Sequence, residues 1–248
     1  MSPIKKRSFS LFLIVLILFA AGTFFISYRE SFIVTQHKAE NYSIKGVDVS
    51  TYQGFINWPI LAKNDIVFAF IKATEGSSFE DDDFQYNFTE ALKTPLMIGA
   101  YHFFSYESTG QAQADHYIKT VPLSDRCLPP VVDIEFYGQY SRFNVPDEDQ
   151  TRKELSVLLE KLNAHYAKKP IIYTSSKVYN LYIADYFQDY PIWISNYSGS
   201  PSLTDKRPWT FWQYTNKGVM PGYSGYSPNI DLNVYRGTKE EFIAQFGH

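Results

Sequence analysis

The chain has 248 residues, 20% of them charged, and a formal net charge of -3. That balance excludes a disordered polyelectrolyte and offers no basic surplus for nucleic acid. A single cysteine, Cys127, excludes an internal disulfide framework and a cysteine-rich metal site, and 44 of the residues are aromatic.

Charge is unevenly spread. Residues 1–39 carry five basic side chains and one acid, and the remainder carries 18 basic and 25 acidic ones. Lys5-Lys6-Arg7 precede an uncharged run of 18 residues, Phe9–Ile26. At 1.5 Å per helical residue that run reaches about 27 Å, close to a hydrocarbon core. Ala20-Ala21-Gly22 offers a weak cleavage site, but Phe24-Phe25-Ile26 continues the apolar run past it. The sequence therefore predicts a cytoplasmic basic flank over 1–8, a transmembrane signal-anchor over 9–26 and a polar linker over 27–45. The basic flank stays inside, so the rest is exported to the cell envelope. Secretion after cleavage is the alternative.

From Gly46 onward, β-rich runs alternate with helical patterns. Strands are predicted at Gly46–Ser50, Ile66–Ala73, Leu96–Phe104, Pro130–Glu135, Ile171–Thr174, Ile192–Asn196, Thr210–Tyr214 and Ile230–Tyr235. Helices are predicted at Asp82–Leu92, at Gly110–Lys119 and after Pro146. In the last of these, Leu155, Leu158, Leu159, Leu162 and Tyr166 form an amphipathic stripe. A final helix starts at the Thr238/Glu241 capping box. Asn196–Pro208 and Thr215–Pro228 show no helical period. Eight strands with helices among the early ones predict an α/β fold: a single irregular TIM-like β/α barrel over 46–248, helix-poor in its late strands.

In such barrels the reactive residues sit at the C-terminal strand ends. Pro130-Val131-Val132-Asp133-Ile134-Glu135 puts Asp133 and Glu135 on one strand face. Like charges in a cleft push one pKa upward, and Phe136 and Tyr137 could add desolvation. A protonated acid beside an ionised one is what glycosidic cleavage needs. A strand-end salt bridge or cap is the structural alternative. Asp48, alternating with Val47 and Val49, and Asp231 repeat the pattern, and the first and last strands of a closed barrel are neighbours.

These residues resemble a family. Gly46-Val47-Asp48-Val49-Ser50, Gln53-Gly54 and Ile56-Asn57-Trp58 look like the opening of family 25 glycoside hydrolases, the chalaropsis-type lysozymes. Phe70–Gly76, Gly99–Phe103, Asp133-Ile134-Glu135, Pro191–Ile194, Phe211–Tyr214 and Asp231-Leu232-Asn233 follow in the family's order. The resemblance implies N-acetylmuramidase activity on peptidoglycan glycan strands. It makes Glu135 the general acid, has Asp133 orient the 2-acetamido group, and has Asp48 and Asp231 complete the acidic cluster. It also draws in Glu75, for catalysis or as a strand-end hydrogen-bond partner. Tyr101, Tyr137, Trp193, Trp212, Gln213 and Tyr214 are candidates for the sugar groove, and His102 for packing. No metal, cofactor or obligate protein partner is expected; the partners are the glycan and, through the N-terminal helix, a lipid bilayer. The family often consists of secreted enzymes, some with wall-binding repeats, whereas here an anchor precedes the barrel and thirteen residues follow Tyr235. A non-catalytic glycan-binding envelope protein, or a hydrolase of another amino-sugar polymer such as chitin, are the alternatives.

Overall fold

The principal strands form one sheet that closes on itself. In this computed structural model, residues 13–14, 16–23 and 35–247 are described. The strands are β1 (Lys45–Val49), β2 (Phe55–Ile56), β3 (Phe68–Glu75), β4 (Phe79–Glu80), β5 (Met97–Phe103), β6 (Val131–Ile134), β7 (Ile171–Ser175), β8 (Ile192–Ser195), β9 (Phe211–Gly218), β10 (Tyr223–Ser224) and β11 (Ile230–Tyr235). All eight predicted strands are present within a few residues. Pairing runs β1-β11-β9-β8-β7-β6-β5-β3, and β1 also pairs with β3, which closes an eight-stranded barrel. Seven of these strands are parallel, whereas β11 runs antiparallel to both β1 and β9.

That one reversal positions half of the site. Asp231 lies at the start of β11, which in a parallel strand would put it at the floor. Reversed, it lies opposite Asp48 near the end of β1.

Alternation along the strands separates two apolar layers. Val47, Val49, Val132, Ile134, Ile172 and Ile194 face outward to the helices. Phe68, Phe70, Val131, Ile171, Trp193 and Phe211 fill the barrel. Gly46 and Gly99 make room for those rings. A Cβ on Gly46 would stand 2.4 Å from the Phe68 ring, and one on Gly99 2.5 Å from the Phe70 ring. Phe242 and Phe246, from the closing helix Lys239–Phe246, pack against Phe68 and Phe211 and plug the floor. The Thr238/Glu241 capping box that starts this helix is formed in both directions.

The early strands are covered by Phe84–Ala91, Gly110–Thr120 and the long Glu148–Tyr166, where Leu155, Leu158, Leu159 and Leu162 are all buried. Asp147 caps that last helix and Ala167 ends it in a left-handed conformation. Residues 196–208 hold no helix, as expected. Thr215–Pro228 is more ordered than its composition suggested: Thr215–Gly218 extends β9, and β10 pairs with β2.

The helix-poor flank is covered by the N-terminal lead. Thr35 and Ala39 are buried, the Thr35 hydroxyl donates to the Tyr197 carbonyl (3.2 Å), and Tyr42 packs edge-on against Trp209 and Trp212. Residues 35–42, inside the stretch read as linker, are therefore packed against the barrel. Its polar composition hid the few apolar residues that dock. No helix among the described residues is long and apolar enough to cross a membrane. The predicted span Phe9–Ile26 lies partly outside the described residues.

Candidate active site

At the C-terminal ends of the parallel strands lies a cleft of about 440 Å³. Asp48 from β1, Asp133 from β6, Glu135 just beyond it and Asp231 from β11 all line it. Trp193, Tyr101 and Gln213 line it as well. The arrangement follows from alternation: Asp133 continues the inward row of Val131, and Asp231, Asn233 and Tyr235 form the inward row of β11.

The two carboxylate pairs are built differently. Asp48 Oδ2 accepts hydrogen bonds from Asn233 Nδ2 (2.7 Å) and Gln213 Nε2 (2.9 Å), and Gln213 Nε2 also reaches Asp231 Oδ2 (3.1 Å). Asp133 Oδ1 is buried with no hydrogen-bond partner. Burial pushes all four carboxyls up. Asp48 rises to about 6, with the hydrogen bonds from Asn233 and Gln213 opposing the burial. Asp231 rises to about 8, through burial and then the charge of Asp48. Asp133 is held well above the usual carboxylate range by burial and then by Glu135. Glu135 rises to about 7 through burial and then the charge of Asp48. The sequence assigned that last repulsion to Asp133. In the structure it is the charge of Asp48 that acts on Glu135.

Other expected residues lie elsewhere. Glu75 does not line the cleft; it pairs with Lys72 at 2.8 Å. A register shift between Lys72 and Thr74 breaks the alternation there. Lys72 does face the cleft and stands over the Phe103 ring. Tyr137 packs beside the cleft: it stacks on Tyr106, donates to the Glu107 carboxylate and accepts from the Tyr106 amide (3.0 Å). Trp212 and Tyr214 also miss it. They flank the inward Gln213 and so point outward, where Trp212 is fully buried and donates to the Asn196 carbonyl (2.8 Å). Both belong to the surface on which Tyr42 docks. His102 is buried and outward, between Thr74 Oγ1 (2.7 Å) and Gln113 Oε1 (3.0 Å), and burial lowers it to about 4.

Several cleft residues were not singled out from the sequence. Tyr173 sits on β7 opposite Asp133, and Phe103 on β5 opposite the same residue. Their inward parity was readable once Asp133 was placed. Tyr52, in the 3-10 turn Thr51–Gln53, and Ser227, on a loop, border the cleft where periodicity gives no signal.

Four carboxyls raised by burial converge in the mouth of a closed β/α barrel, an arrangement suited to acid–base chemistry. The sequence matches the family described as Glycosyl hydrolases family 25 over residues 47–223. A family 25 glycosyl hydrolase from Bacillus anthracis superposes with a TM-score of 0.78 at 49% identity, over 83% of this chain and 94% of that one. A bacterial lysozyme from Streptomyces coelicolor gives 0.75 at 30% identity, over 83% and 97%. Lysozyme M1 of Streptomyces globisporus is 32% identical over 83% of this chain and 72% of its own length. The chain belongs to glycosyl hydrolase family 25, and it is a glycoside hydrolase.

Proposed function

We propose that this chain is a muramidase that hydrolyses the β-1,4 bond between N-acetylmuramic acid and N-acetylglucosamine in peptidoglycan. The observation that carries this reading is the convergence of Asp48, Asp133, Glu135 and Asp231 in one cleft. The named lysozyme relatives supply the substrate class. Glu135 is the general acid. Its carboxyl is raised to about 7, so it carries a proton on the acid side of neutral and can pass it to the leaving glycosidic oxygen. Asp48, the most readily ionised of the cluster, stabilises positive charge developing at the anomeric carbon. Asp133, two residues before Glu135 and lining the same cleft, orients the 2-acetamido group. Tyr101 and Tyr52 offer ring faces to the sugars, above the buried Trp193.

The test is direct. The full chain is incubated with purified peptidoglycan, and the new reducing ends are identified by mass spectrometry. N-acetylmuramic acid at the reducing end is expected. N-acetylglucosamine there, or no release, sinks the reading.

The enzyme acts in the cell envelope, held by Phe9–Ile26 as an uncleaved signal-anchor with the barrel outside the cytoplasm. The uncharged run with its basic flank supports this. Fractionation with membranes, and digestion of the barrel by protease added outside, are expected. A soluble mature chain starting after Ala21 replaces the anchor with secretion.

A further inference from the structure

Gln213 looks from the sequence like an amide offered to substrate, yet every polar contact it can make is taken within the protein. Its Oε1 accepts from the Tyr173 hydroxyl (2.7 Å) and the Tyr197 hydroxyl (2.5 Å), and its Nε2 donates to Asp48 and Asp231. Asn233 is fixed just as firmly. Trp193 Nε1 donates to Asn233 Oδ1 (2.8 Å), and an indole can only donate. The Asn233 amide nitrogen must therefore point at Asp48. The two aspartates consequently receive unequal treatment: Asp48 Oδ2 takes two amide N–H bonds, and Asp231 Oδ2 shares one of those donors.

We propose that Gln213 and Asn233 are positioning residues that place the negative charge on Asp48 and the proton on Asp231. Amide donors stabilise a carboxylate more than a carboxylic acid, so the twice-bonded oxygen keeps the charge. The tyrosine hydroxyls and the indole hold each amide the right way round. A flipped Gln213 would turn its carbonyl oxygen toward two carboxyls. This gives the barrel's reversed strand a function: β11 supplies both Asp231 and Asn233, the proton holder and the clamp on its partner. The other groups acting on Asp48 are spread around the rim. Asp231 itself hydrogen-bonds to it, Glu135 on the β6 side meets its charge, and Lys72 on β3 acts on Asp133. Tyr101, Tyr173 and Tyr197 face it as neutral phenols, raised above their usual range by burial.

The kinetic part of the test rests on the muramidase reading; the spectroscopic part does not. Carboxyl ¹³C NMR titration follows Asp48 and Asp231, assigned with Asp48→Asn and Asp231→Asn. In the wild-type protein Asp48 is expected to ionise at lower pH than Asp231. Gln213→Glu keeps the shape and the acceptor for both tyrosines but puts a third carboxyl where the amide donor stood, whereas Gln213→Met removes the donor without adding charge, and the two are expected to shift the Asp48 midpoint the same way. Gln213→Glu should raise the Asp48 midpoint by at least about one pH unit, carry the acidic limb of kcat with it, and leave KM within about threefold. Tyr197→Phe removes one of the two hydroxyls holding the amide and should move both readings the same way by less. This last variant decides the matter alone if Gln213→Glu does not fold. An unmoved Asp48 midpoint in the folded variants overturns the proposal. So does a raised KM at unmoved limbs, which would make Gln213 a substrate contact.

Discussion

The two carboxyl pairs at the mouth share a cleft and differ in every local respect. Asp133 and Glu135 lie two residues apart at the end of one strand, and Asp133 Oδ1 has no partner. Asp48 and Asp231 face each other across antiparallel strands and are bridged by an amide. Burial raises both pairs, but donors reach only the second. A buried carboxyl without donors keeps its proton and can serve as an acid; one supplied with two amide N–H groups gives the proton up first. One barrel mouth thus holds a proton source and an anion, with no cation among the described residues bonded to either.

Removing the proton source has the largest expected effect. Glu135→Gln keeps the shape but cannot donate, and general acid catalysis is worth on the order of 10²–10⁴ in rate. Turnover of peptidoglycan should fall by that much, with circular dichroism unchanged. Activity within about threefold of wild type would remove Glu135 from the role.

Removing the anion comes next. Asp48→Asn should lower kcat by about 10², the scale of losing one preorganised electrostatic contact. It should also move the basic limb to lower pH, because the charge that repels Glu135 is gone. A change in KM alone would reassign Asp48 to binding.

Stability separates the pairs on a smaller scale. Asp231 has a folded-state pKa of about 8, above its unfolded value. Its contribution is therefore fully present in acid and is lost as pH rises through about 8. Asp231→Asn removes that loss, so Tm should rise by a few degrees at pH 8, about 2–4 °C per kcal/mol, and change little at pH 4. Equal shifts at both pH values would show that the raised pKa does not burden the fold.

The smallest effect is the sharpest test of the contrast. Asp48, not Asp133, is the charge that raises Glu135, so Asp133→Asn should leave the basic limb of the pH–rate profile in place. A downward shift would make Asp133 the repelling charge, as strand proximity alone suggests.

The contrast also marks what can be read from the sequence. Asp133, Glu135, Asp48 and Asp231 stand out because strand alternation sets their parity, and apolar strands have few reasons to end in acids. The barrel was legible through eight β-rich runs. Strand direction was not, because a period of two reads the same both ways, so the reversal of β11 had no signal. Nor did the bonds of Gln213 to Tyr173 and Tyr197, or of Asn233 to Asp48, which join residues 16 to 185 positions apart. The error over Trp212 and Tyr214 was avoidable: neighbours of an inward Gln213 must point outward. Tyr42 and Ala39 show the converse, since a polar stretch can dock through very few side chains.

The account stands most directly on Glu135. Its ¹³C carboxyl titration should be measured alongside the pH dependence of kcat/KM on peptidoglycan. The account predicts a Glu135 midpoint near 7 that coincides with the basic limb, and loss of that limb in Glu135→Gln. A Glu135 that titrates near 4.5, or a basic limb that persists in Glu135→Gln, would contradict it.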